Sequence, residues 1–122
     1  MPRRLLLSGQ KHRIEVYVAE NGRSPVLDYL GSLAQAERER AMALIDYTAQ
    51  HGPPRNKEKG RKLEGEHFFE LKSSAQRILW RWGPRGGIIL MHGFTKESQK
   101  TPKREIRVGR ERFHILESEL EK

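Results

Sequence analysis

The run Gly87–Arg104 constrains this chain more than any other part of it: Gly-Ile-Ile-Leu-Met-His-Gly-Phe-Thr-Lys-Glu-Ser-Gln-Lys-Thr-Pro-Lys-Arg. Ile88–Phe94 is apolar enough to be a central strand. The chain then passes a His-Gly step, turns polar and basic, and reaches a helix through Thr101-Pro102. A segment of this kind leads from a hydrophobic core to a cationic loop, a natural place to hold a phosphate. Around it the pattern predicts one strand, two helices, three strands and a last helix, an α+β layer fold in a single domain spanning residues 1–122.

The elements follow from period and punctuation. Residues Arg13–Ala19 alternate, with Ile14, Val16 and Val18 on one side and Arg13, Glu15 and Tyr17 on the other, as in a half-buried strand. Ser24-Pro25 opens a short helix as N-cap and first helical residue, with Val26, Leu27, Leu30 and Leu33 as its stripe. A second helix is expected from about Gln35 to Gln50, stopped by His51-Gly52-Pro53-Pro54, so that the two form an antiparallel hairpin. Arg55–Gly60 reads as a polar loop. His67–Ser73, Gln76–Trp82 and Ile88–Phe94 read as a meander of antiparallel strands, giving a sheet of about four. Pro102–Leu120 reads as a helix with Ile106, Phe113, Leu116 and Leu120 on one side.

The charge is unevenly placed. Residues 53–112 carry 16 Lys/Arg against 7 Asp/Glu, whereas residues 1–52 carry 7 against 6 and residues 113–122 carry 1 against 3. Clustered positive charge suggests an anionic partner, either nucleic acid or an acidic protein. With no cysteine, disulfides and Cys-based metal sites are excluded. The five histidines show no ligand spacing, and neither a metal nor another cofactor is expected. The start has two arginines but only three apolar residues after them, short of a signal peptide, and no run approaches the ~20 apolar residues of a membrane span. A cytoplasmic protein without a membrane partner is expected.

Candidate site residues follow from the strand alternation. If Ile78, Trp80 and Trp82 face the core, Arg77 projects from the outer, concave side, where a strand-fixed guanidinium can hold a phosphate bidentately or pair with Glu70 across the hairpin. Lys62, Lys96, Lys100, Lys103 and Arg104 supply point charge in or beside the sheet and its exit loop. His92 can serve as acid or base near neutral pH, or as a hydrogen-bonded structural residue, and Glu70 as base or counter-charge. Phe68, on Glu70's side of its strand, is the aromatic best placed to stack a base.

The ordered pieces Lys62-Leu63-Glu64-Gly65, Phe69-Glu70-Leu71-Lys72, Gln76-Arg77-Ile78-Leu79-Trp80, Leu90-Met91-His92-Gly93-Phe94-Thr95-Lys96, Gln99-Lys100-Thr101-Pro102 and Glu105-Ile106 together resemble the phage-derived, HigB-like branch of the RelE/HigB/ParE toxin superfamily. That resemblance implies a RelE-like fold, with a concave sheet face and a helical hairpin packed on the other side. It implies a toxin of a type II toxin–antitoxin pair, an mRNA endoribonuclease acting at the ribosome by metal-independent 2′-hydroxyl attack. Its partners would be mRNA, the ribosome and a cognate helix-turn-helix antitoxin. A related branch adds a second reading, a non-enzymatic gyrase-targeting toxin of the ParE kind; a third, plainer reading is a non-catalytic nucleic-acid-binding domain. On the resemblance, Arg77 and Lys96 take the family's basic positions. Phe68 and Glu70 stand where the best-studied branch has two strand lysines and Ile106 where that branch has a late tyrosine, while Glu97 stands where the family's pattern has the second of two adjacent lysines. Arg77, Lys96, His92 and Glu70 are therefore the catalytic candidates, and Lys62, Phe68, Lys100, Lys103 and Arg104 the RNA-binding ones.

Overall fold

A computed structural model describes residues 2–97 and 100–121; Ser98 and Gln99, within the motif quoted above, lie outside the described residues. The elements in chain order are β1 (Arg3–Ser8), β2 (Arg13–Tyr17), α1 (Pro25–Ser32), α2 (Gln35–His51), β3 (Gly60–Lys62), β4 (Phe69–Ser73), β5 (Gln76–Trp82), β6 (Ile88–Thr95) and α3 (Lys103–Leu120). One sheet takes all six strands in the order β1-β2-β6-β5-β4-β3. The expected four strands become six, because an edge strand flanks the sheet at each end, β1 with six residues and β3 with three. β1 carries three successive leucines instead of an alternation, and β3 is a polar three-residue strand that begins at Gly60, the last residue of what reads as a loop.

The sheet is mixed, not wholly antiparallel. β3 to β6 form the expected antiparallel meander, but β6 ends beside β2 and runs parallel to it, pairing Ile14 with Ile88 and Val16 with Leu90. Parallel neighbours need a long crossover. Here α1 and α2 carry the chain from β2 to the far edge. β6 is thereby central, and Ile88, Ile89, Leu90 and Met91 are all fully buried.

Helix boundaries follow local chemistry. Ser24 Oγ accepts from the Leu27 N–H at 3.2 Å and Pro25 occupies the first turn. Gly52, at φ 97°, takes the left-handed conformation that ends α2, and Pro53-Pro54 forbid its continuation. Val26 and Leu30 of α1 and Ala41, Ile45 and Ala49 of α2 pack on Ile14, Val16, Leu71, Ile78, Trp80, Ile88 and Leu90. Both helices lean on the sheet more than on each other.

The opposite face is not an open concavity. Tyr17, Leu63, Phe68, Leu79, Ile89, Met91 and Phe94 form a second core there, closed by Leu116 of α3, with Ile106 and Phe113 packed alongside. Helix α3 reaches this face at Gly109. A Cβ there would lie 2.8 Å from Leu79 Cδ1 and 3.1 Å from Phe68 Cε2. Only a residue without a side chain allows that approach. Gly109→Val is expected to destabilise the fold by roughly 1–3 kcal/mol through overpacking. The urea unfolding midpoint checks this, and an unchanged midpoint would mean that α3 does not sit so close.

Candidate functional site

Strand register gathers the charged residues. Arg61 pairs opposite Glu70, and Lys72 opposite Arg77. Because side chains alternate along a strand, these four share the sheet face that carries Leu79 and lies toward α3. Glu70 sits at their centre, fully buried. Its Oε2 accepts from Thr101 Oγ1 at 2.8 Å, and its Oε1 accepts from Arg61 Nε at 3.3 Å and lies 3.8 Å from Arg77 Nε. Arg61 Nη2 also donates to Thr101 Oγ1 at 3.3 Å. A buried carboxylate persists only when paired and hydrogen-bonded, and both conditions are met. Glu70 has no surface from which to take a substrate proton. It acts as the anion that orders the cations.

Arg77 is held from its other side. Its Nη1 donates to the carbonyls of Ser74 and, at 3.1 Å, Gln76, so the β4–β5 turn orients the guanidinium. Ser74 takes a left-handed φ of 54° in that turn. Lys72 donates to the Lys57 carbonyl at 2.9 Å. The Lys96 N–H donates to the Ala75 carbonyl at 2.7 Å, setting the residue just past β6 beside the same turn. Burial, then the Arg61 charge, lowers the Lys72 pKa, against the raising effect of Glu70. Burial, then the Arg77 charge, lowers that of Lys96, which also lies in the fields of Glu70, Arg61 and Lys72. Four cations thus share one electrostatic site around the Glu70 carboxylate. Such a site can accept a phosphate, and its lysines release protons more readily than ordinary lysines do.

His92 lies outside this cluster. Leu79 separates it from Glu70 across the sheet, since both pair with Leu79. Arg112 Nη1 donates to His92 Nδ1 at 3.1 Å and to the Met91 carbonyl at 2.9 Å. A guanidinium only donates, so Nδ1 is unprotonated and Nε2–H donates to Glu105 Oε1 at 2.8 Å. Burial and the Arg112 charge lower the His92 pKa against the pull of Glu105, which keeps the ring neutral. Its lone pair is engaged, and the ring ties β6 to α3. A bulge makes this geometry: Leu79 pairs with His92 and Trp80 with Leu90, leaving Met91 unopposed.

The remaining candidates divide between core and surface. Phe68 is buried, its ring 6.1 Å from Phe113 and close under Gly109, so no face is open to a base. Lys62 is exposed on the opposite sheet face from Glu70, in register with Phe69. Lys100, Lys103 and Arg104 are exposed around Thr101, with Arg104 Nε 3.5 Å from Glu105. Cations in the first turn of α3 oppose the helix dipole, an arrangement that a bound anion relieves. Trp82, expected in the core, is 38% exposed.

Sequence reasoning missed Arg61, Lys72 and Thr101 as site members. Lys72 was detectable, because it alternates with Glu70. Arg61 was hidden by an edge strand too short to register. Thr101 reads as a helix-opening residue, and nothing local shows that its hydroxyl reaches back across the sheet.

The family model described as "Phage derived protein Gp49-like (DUF891)" matches residues 28–114. The match runs from α1 into α3 and includes every member of the Glu70 cluster, whereas β1 and β2 precede it. No curated protein matches the chain.

The depressed lysines set a pH dependence. Anion binding needs Lys72 and Lys96 protonated, and both lose charge at lower pH than an ordinary lysine, whose pKa is about 10.4. Affinity for a single-stranded oligonucleotide is therefore expected to fall as pH rises toward that value. A Lys72→Arg/Lys96→Arg variant should keep its affinity. Binding titrations from about pH 7 to about pH 10 check this, and coincident curves would remove both lysines from the anion site.

Proposed function

The chain belongs to the Gp49-like family of phage-derived proteins, and from that membership and the Glu70 cluster we propose that it is the toxin of a type II toxin–antitoxin pair, an endoribonuclease acting on mRNA at the ribosome. The observation that carries the reading is the convergence of Arg61, Lys72, Arg77 and Lys96 on one ordered carboxylate. Such a site suits a reaction in which the RNA supplies its own nucleophile. The 2′-hydroxyl gives up its proton and attacks the adjacent phosphorus. The bond to the 5′-oxygen breaks and that oxygen takes a proton, leaving a 2′,3′-cyclic phosphate and a 5′-hydroxyl. Arg77 and Arg61 neutralise the charge that builds on the phosphoryl oxygens. Lys96 and Lys72, with lowered proton affinity, are the groups suited to proton transfer. Glu70 positions the guanidinia, and Lys100, Lys103 and Arg104 lengthen the cationic track beside Thr101. The expected partners are mRNA, the ribosome and a cognate helix-turn-helix antitoxin, in the cytoplasm.

One observation favours a second reading, a non-enzymatic toxin that presents the same cations to a protein or nucleic-acid target. Neither Glu70 nor His92 keeps a lone pair available as a general base.

Cleavage of a ribosome-bound message by the pure protein and by Arg77→Ala separates the readings. Loss of one phosphate-stabilising group is expected to slow cleavage by about 10²–10³, with unchanged circular dichroism. Equal cleavage by both would remove Arg77 from the mechanism. Messages left intact while induced expression halts growth would establish the non-enzymatic reading.

A further inference from the structure

On the sheet face that carries Phe69 and Trp80, a groove of about 530 Å³ runs between the loop after α2 and the strands β3, β4 and β5, with Glu70 among its lining residues. That volume lies in the roughly 300–1,000 Å³ range of small-ligand sites. Its walls combine four exposed cations, Arg55, Lys57, Arg61 and Lys62, with three aromatic rings, Phe69, Trp80 and Trp82. Phe69 and Trp80 stack with centroids 4.5 Å apart at 19°, and Trp82 stands edge-on to Trp80 at 5.0 Å and 84°. Trp80 is buried, so Trp82 presents the accessible indole. The sole carboxylate among the described lining residues is Glu70, already engaged by Thr101, Arg61 and Arg77.

Two links join this groove to the cationic cluster. Arg61 lines the groove and also pairs with Glu70. Lys57 lines the groove and its carbonyl holds the Lys72 ammonium. A polyanion lying across Arg61 therefore has a continuous positive path around the short β3 edge into an aromatic pocket. Cations beside an accessible indole fit a single nucleic-acid strand, whose phosphates meet the cations while an unpaired base packs on the ring.

We propose that this groove is an accessory subsite for single-stranded RNA, in which an unpaired base flanking the reacting phosphate packs on Trp82 and the adjoining phosphates meet Arg55, Lys57 and Lys62. The proposal rests on the RNA-directed reading above. It makes the β3 edge the ridge over which the strand bends, and it gives the protein a grip on its substrate remote from the bond that breaks.

The test is fluorescence anisotropy with a labelled single-stranded 2′-O-methyl RNA, which lacks the attacking hydroxyl and stays intact whether or not the protein cleaves RNA. Trp82→Ala should weaken binding by roughly fivefold to 150-fold, the loss of one stacked base. Trp82→Phe should restore it to within a few-fold, and thermal melting should show both variants folded. An Arg55→Ala/Lys57→Ala variant should flatten the slope of log affinity against log salt by about 1.4, two single-strand phosphate contacts. A duplex of the same sequence should be insensitive to Trp82→Ala. The subsite is overturned if folded Trp82→Ala binds the single strand as the parent does, or loses duplex equally. It is also overturned if Trp82→Ala instead loses a polyglutamate probe, which would assign the groove to an acidic peptide. Because the probe is uncleavable, loss of the subsite leaves the cleavage comparison at Arg77 untouched, and absence of cleavage leaves the subsite measurable.

Discussion

The buried Glu70 carboxylate is the constraint on which the site depends. An isolated carboxylate costs several kcal/mol to bury, so its partners must stay in place as long as the chain is folded. Those partners come from three separate parts of the sequence: Arg61 on an edge strand, Arg77 on an inner strand and Thr101 just ahead of α3. One anion thereby fixes the position of two guanidinia and the start of a helix. The like charges around it would repel one another without it. Burial, followed by that repulsion, is what loosens the protons on Lys72 and Lys96.

Helix α3 is secured to the sheet at three points along its length. Thr101 binds Glu70 before its first turn, Glu105 and Arg112 bracket His92, and Gly109 lets the backbone settle on Leu79 and Phe68. The neutral His92 serves this docking. Its proton faces Glu105 and its lone pair faces Arg112, so each partner gains a hydrogen bond that a cationic imidazole could not give to both. The bulge at Met91 makes this arrangement available by turning two successive side chains, Met91 and His92, to one face.

Most of the framework was legible in the sequence, because the signals for α1, α2, α3 and the β4–β6 meander are local. Ser24-Pro25, Gly52-Pro53-Pro54 and the alternation through Gln76–Trp82 each state a boundary or a face within a few residues. The pairing of Arg77 with Glu70 was open to the same reasoning, since both lie on alternating strands joined by a tight turn. What escaped was non-local. β1 and β3 exist because a neighbour supplies their hydrogen bonds, not because their own residues favour strands. The parallel placement of β6 beside β2 depends on where the crossover ends. Phe68 alternates with Glu70 as expected, but α3 covers that face, which turned a candidate stacking platform into core. Trp82 moved the other way, because it ends its strand beyond the cover of the helices.

These displacements bear on how the molecule can meet a polyanion. Alternation alone assigns Phe68 and Arg77 to one functional face and the tryptophans to the core. In the fold, cations stand on both faces near the β3 edge, and the accessible aromatic surface lies on the face away from Glu70. A flat ligand confined to one face would use only half of that charge. A flexible single strand can bend over a three-residue edge strand and use both. β3 then matters for binding as well as for pairing, because its Arg61 both lines the groove and pairs with Glu70. On the proposed reading, the ordered cluster handles the reacting phosphate and the groove holds what flanks it. Affinity and proton transfer then rest on different residues, and each can be altered without removing the other.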